Sequence, residues 1–90
     1  MGIAAMLETQ VQAAQIGVRV LDISADGCLL AVPGGLALGR YVTLVLPGPV
    51  VIEGWIAWSK NDQAGLDYAR SLPASVVERI ICEHAPRGAD

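Results

Sequence analysis

Residues 22–27 read Asp22-Ile23-Ser24-Ala25-Asp26-Gly27, and the way this hexamer joins its flanks decides the fold. A largely apolar run (Val18 to Leu21) leads into it and another (Cys28 to Val32) leads out. Two strand-length runs joined by Asp-Gly are a strong hairpin signal, because that dipeptide accepts positive φ at both central turn positions. The same residues also suit a binding site. Asp22 and Ser24 are short polar side chains at a strand end, ahead of a glycine that lets backbone come close to a ligand. In a plain hairpin, Ser24 would hydrogen-bond its own turn and Asp22 would take up a loose backbone N–H. On the hexamer alone both readings stand.

Working outward, further turn signals fall at Pro33-Gly34-Gly35, Pro47-Gly48-Pro49 and Asn61-Asp62. The runs between them are rich in Val, Ile, Leu, Trp and Tyr, and each has the length of a strand. The expected strands are 8–13, 17–23, 28–32, 41–46, 50–59 and 64–69. Short strands at this spacing argue for an all-β antiparallel barrel or sandwich. After residue 70 the period changes. Pro73 suits a first helical turn, Ser75-x-x-Glu78 matches a capping box, and Val76, Val77, Ile80 and Ile81 share one helical face. One amphipathic helix over about 73–85 should therefore close the domain, its aliphatic face laid on the barrel or on a partner. The 90 residues form one domain, the barrel occupying about 8–70.

Composition narrows the function. Hydrophobic residues make up 53% of the chain without a single Phe, so the core must be aliphatic. The net charge of −3, with six Lys plus Arg, leaves no basic stripe for a nucleic-acid polymer. The apolar stretch from Tyr41 to Trp58 is broken by Pro47-Gly48-Pro49 and contains Glu53. It is not a membrane-spanning helix, which needs about 20 predominantly apolar residues, and no membrane insertion is expected. Met1 to Leu7 lacks the basic flank of a secretory signal, and a cytoplasmic location is the expectation. Cys28 and Cys82 lack metal or redox spacing, and His84 is the only histidine. No metal, no cofactor and no catalytic residue is expected, since Ser24 has no base in sequence and no phosphate loop is present.

The order of several segments resembles the PilZ domain family, the bacterial receptors for cyclic di-GMP. Asp22-x-Ser24-x-x-Gly27 is similar to the second half of that family's binding signature. Leu38-Gly39-Arg40-Tyr41 to Pro47-Gly48 resembles its glycine, aliphatic strand and Pro-Gly turn. Gly54-Trp55-Ile56-Ala57-Trp58 resembles its Gly-x-Val-x-Trp strand, and Gly65-Leu66-Asp67-Tyr68 its Gly-[Val/Leu]-x-Phe strand with Tyr for Phe. The resemblance covers residues 18 to about 82 and implies a six-stranded antiparallel β-barrel with one C-terminal α-helix. It also implies that Asp22, Ser24 and Gly27 are the positions that meet cyclic di-GMP.

The first half of the signature, an Arg-x-x-x-Arg that grips the phosphates, is not found in residues 1–21. Arginine suits that task because its planar fork meets phosphate oxygens in pairs. Arg19, three residues before Asp22, points to the opposite face of a regular strand. The resemblance therefore implies a degenerate site in a stand-alone signalling domain that acts as an adaptor through protein contacts. A genuine cyclic di-GMP receptor is the alternative. Some members of the family lack the arginines and act through protein contacts, for instance in type IV pilus assembly or motility control, so the resemblance implies a signalling or motility protein as partner. Strand alternation puts Gly54, Ile56 and Trp58 inside the barrel and Trp55, Val51 and Ala57 outside. Trp55, with Val76 and Ile80 of the helix, is the expected interface for such a partner or for a second copy. The alternative for Trp55 is a cover supplied by the helix or by Ile3–Leu7.

Overall fold

Inward and outward positions alternate along much of the sheet, and the strands close on themselves. The computed structural model describes residues 2–9 and 15–84. Its elements are β1 (Ile3–Thr9), β2 (Gln15–Ile23), β3 (Gly27–Ala31), β4 (Tyr41–Leu46), β5 (Val50–Lys60), β6 (Gln63–Tyr68) and α1 (Ala74–His84). All six neighbouring pairs are antiparallel, and the barrel runs β1-β2-β3-β6-β5-β4. Closure matters in so small a domain because it leaves no strand edge unpaired. Leu7, Val20, Leu30, Val42, Leu44 and Leu66 fill the interior and are fully buried. The core is thus aliphatic, as the composition requires.

The first strand lies earlier than the sequence suggests. Residues 10–13 of the expected strand 8–13 fall outside the described residues, and β1 is built from Ile3–Thr9 instead. Its inward residues Ile3, Ala5, Leu7 and Thr9 alternate with outward Ala4, Met6 and Glu8. The Ile3–Leu7 stretch is therefore a wall of the barrel and not a cover for Trp55. β1 joins β2 to β4 and completes the closure.

Two irregularities change which side chains face outward. In β2 the register shifts between Val20 and Asp22, and in β5 between Ile56 and Trp58. Each inserts one extra residue, Leu21 and Ala57, and a one-residue insertion reverses the inside-outside alternation beyond it. Trp58, expected inside, is 43% exposed for this reason. Arg19 and Asp22, expected on opposite faces, are both exposed, while Val18, Val20 and Ile23 are buried.

The positive-φ turn is also elsewhere. Asn61 (φ 54°) and Asp62 (φ 61°) carry it between β5 and β6, whereas neither Asp26 nor Gly27 has positive φ. Asp62 reinforces its turn by accepting the Gly34 N–H on Oδ1 at 3.0 Å and the Val32 N–H on its carbonyl at 2.8 Å.

The helix begins on the Pro73 carbonyl, which accepts the N–H groups of Val76 (3.0 Å) and Val77 (3.2 Å). Pro73 thereby acts as the cap, and Ser75 lies inside the helix, so the expected capping box does not form. Ile80 is buried and Leu72, Val76 and Val77 are half-buried against the core, while Ile81 faces away. The barrel itself takes the aliphatic face of α1. That placement removes Ile80 from the surface and corrects its expected role at a partner interface; Val76 likewise turns toward the chain's own core. No helix among the described residues is long and apolar enough to cross a membrane.

Candidate functional site

The turn between β2 and β3 is held by its own serine. Ser24 Oγ donates to the Gly27 carbonyl (3.0 Å) and accepts the N–H groups of Gly27 (3.3 Å) and Asp26 (3.4 Å). The Ser24 N–H also donates to the Gly27 carbonyl at 2.9 Å. Asp22 Oδ1 accepts the N–H of Ile23 at 2.9 Å. Both side chains thus do the local work of a hairpin, yet both remain exposed and keep acceptor capacity. Gly27 serves the sheet: a Cβ there would sit 2.6 Å from the Leu66 carbonyl oxygen of β6. Its small size lets two strands approach, and the same closeness keeps the turn flat against the barrel.

The turn is anchored from the chain's far end. Asp26 accepts the Tyr68 N–H on its carbonyl (3.0 Å) and the Ser71 hydroxyl on Oδ1 (2.6 Å), and Ala25 accepts the Leu72 N–H (2.7 Å). The last strand and the entry to α1 therefore fix Asp22–Gly27 in place.

A shallow hollow of about 200 Å³ opens beside this turn, lined by Asp22, Ile23, Ser24, Gly27, Cys28, Leu29 and Trp58. Pairing explains the assembly: Asp22 lies opposite Leu29, Leu29 opposite Gly65, and Gly65 opposite Trp58. Trp58 is the site residue that alternation misses. The bulge at Ala57 turns it outward, and its indole packs against Gly65, where a methyl group would collide with the ring. Gly65 opposite an aromatic residue is the one sequence signal that could have found it. On its other side Trp58 walls a second hollow of about 590 Å³ beneath the 34–38 loop. Ser59 Oγ pins that loop by accepting the Leu36 N–H at 3.0 Å.

Positive charge is placed around the hollow and not in it. None of its lining residues is cationic, and Asp22 brings a carboxylate. Arg19 reaches away to the Gly2 carbonyl (3.5 Å). It occupies an outward row that runs Arg19, Ala31, Gln63, Lys60 by strand pairing, one step from the row of Asp22 and Trp58. Beneath the site, burial pushes the Cys28 thiol up to about 12, and burial with the neighbouring Cys28 holds the Tyr68 phenol well above its ordinary value. The Tyr68 hydroxyl is buried without a well-formed hydrogen bond. A thiol this basic stays protonated at neutral pH and is a poor nucleophile. Among the described residues no group of three or more His, Cys, Asp or Glu side chains is arranged to hold a metal.

Compared with known proteins, the chain matches the family model "PilZ domain" over residues 3–82. No curated protein matches it.

Proposed function

The chain belongs to the PilZ domain family, and from that premise we propose that it is a non-catalytic cytoplasmic signalling domain working through protein contacts. Its cyclic di-GMP site is incomplete and binds the nucleotide weakly or not at all. One observation carries this reading: the hollow at Asp22 and Ser24 is lined by a carboxylate and apolar groups, with no cation among them. A doubly anionic ligand there would lose solvation without a matching charge. A hydrogen bond to a charged group is worth about 1.5–3 kcal/mol. The absence of two arginine anchors then weakens binding by roughly 10²- to 10⁴-fold. The volume, about 200 Å³, also falls below the ~300–1,000 Å³ of ordinary small-molecule sites.

Trp58 supplies the probe. In a Trp55→Phe background, its emission reports directly on a nucleotide laid against the hollow. The expected result is no saturable change up to about 1 mM cyclic di-GMP, the weak end of measurable affinity. Saturable quenching at micromolar ligand would reverse the conclusion.

A second reading, a genuine cyclic di-GMP receptor, is favoured by the two bulges. They put an exposed indole beside Asp22 and bring Arg19 and Lys60 onto the same outer face. An indole is a good platform for a flat base. That reading requires binding to fall when Arg19 or Lys60 is changed to Ala.

A further inference from the structure

We propose that the outer face of β1, β4 and β5 is a docking surface for a partner segment that carries a lysine or arginine between two apolar side chains. The inference rests on the reading that the domain works through protein contacts. Strand pairing arranges this face in rows. Met6, Val45 and Val51 lie side by side in an apolar row, with Met6 40% and Val51 61% exposed. Glu8, Thr43 and Glu53 form the next row, two carboxylates on either side of a hydroxyl. Tyr41 and Trp55 form the third, their rings edge to face with centroids 5.1 Å apart. Apolar, acidic and aromatic bands thus succeed one another at steps of ~7 Å, two residues of strand.

The middle row lacks a cation in register. Across the sheet Glu8 faces Gln15 and Thr43, and Glu53 faces Thr43. A hollow of about 540 Å³ opens at Glu53, with Tyr41 and Val51 on one side and Arg70, Ser71 and Leu72 on the other. Arg70 is the single cation in that lining, while Asp67, opposite Trp55, adds a third acid to the face. The Tyr41 phenol is held above its ordinary value by desolvation and then by the Glu53 carboxylate, with Arg70 opposing, so that both charges lie within electrostatic reach of the phenol.

These charges choose the occupant. A second copy docked on this face about a twofold axis would set acid row against acid row, which is unfavourable for directly opposed like charges. Lipid headgroups and nucleic acid carry the wrong sign. A segment with apolar, basic and apolar side chains matches all three rows. The face is about 14 Å by 10 Å from strand geometry, so the contact belongs with small, transient interfaces.

The test uses the whole chain, ¹⁵N-labelled, and the synthetic peptide acetyl-Gly-Leu-Ser-Lys-Ser-Trp-Gly-amide at about 0.15 M salt, where weak long-range attraction is screened. Saturable amide shifts confined to β1, β4 and β5 are expected. A peptide with Glu in place of Lys should give none. The double variant Glu8→Lys, Glu53→Lys should weaken binding at least tenfold, about 1.4 kcal/mol. The proposal is overturned by equal binding of the two peptides, by shifts centred elsewhere, or by no saturable shift at about 2 mM peptide. Self-association that Trp55→Ala abolishes would overturn it in favour of a second copy. Cyclic di-GMP added to the same sample reports separately at Asp22–Gly27. Tight nucleotide binding there defeats the functional reading, whereas a silent peptide titration defeats this one alone.

Discussion

Changing Gly65 to Ala should dislodge Trp58 and cost stability by an amount the geometry fixes. The added Cβ would stand 2.6 Å from Cδ1 and 2.8 Å from Cε2 of the indole. Carbon atoms normally rest about 3.5–4.0 Å apart, and Nε1 would lie closer still to the added Cβ, so the ring must retreat by roughly 1.5 Å or more. Gly65 cannot yield, because its strand is paired with Leu29 on one side and Trp58 on the other. Trp58, 43% exposed, has room to swing into solvent. Overpacking costs about 1–3 kcal/mol, and this freedom puts the change toward the lower part, near 1–2 kcal/mol. For a domain of this size each kcal/mol moves Tm by about 4–8 °C, giving a fall of roughly 4–16 °C. Thermal unfolding followed by circular dichroism reads the fall. In a Trp55→Phe background, Trp58 emission should shift to the red as the ring enters water. A Tm within ~2 °C of the parent, together with unchanged emission, would refute the packing of Trp58 on Gly65 and with it the assembly of the site.

Three further outcomes follow from the core and the turns. Tyr68→Phe removes a buried hydroxyl that lacks a partner; such a group costs about 1–3 kcal/mol, so Tm should rise, and a clear fall would show that the hydroxyl is satisfied in the fold. Cys28 and Tyr68 both titrate above their ordinary values in the fold. Their contribution is complete below the unfolded thiol value, near 9.0, and is lost as pH climbs toward about 12. Denaturant midpoints should therefore fall steeply over that window, and less steeply in Cys28→Ala. Asp62→Ala loses the bond to Gly34 and strains a residue at φ 61°, costing about 1–2 kcal/mol. Asp62→Gly, which keeps the turn unstrained, should cost less in the same urea titration.

The strands, their antiparallel order and the closing helix were legible because hydrophobic alternation and turn residues are local signals. What was not legible depends on pairing. A bulge leaves no mark on the residue it inserts: Leu21 and Ala57 read as ordinary strand residues, yet they turn Asp22 and Trp58 to the faces they occupy. Alternation therefore placed Trp55 and Val51 correctly, both before the β5 bulge, and misplaced Trp58 just beyond it. Asp26-Gly27 carried the stronger hairpin signature, but the positive-φ turn formed at Asn61-Asp62. At the first turn Ser24 supplies the bonds that a positive-φ pair would otherwise provide. β1 was displaced in the sequence reading because Ala4 and Ala5 dilute its alternation, which only the partners Val18 and Leu44 make plain. The helix face was visible in its period, but not the surface that would cover it.

The proposed function requires the Asp22–Gly27 turn to be chiefly a structural hairpin with an incomplete nucleotide site. Calorimetric titration of the whole chain with cyclic di-GMP, beside the Asp22→Ala, Ser24→Ala double variant, tests it most directly. No binding heat at about millimolar ligand, or a weak signal shared by both proteins, is the predicted result. Micromolar or tighter binding that disappears in the double variant would contradict it.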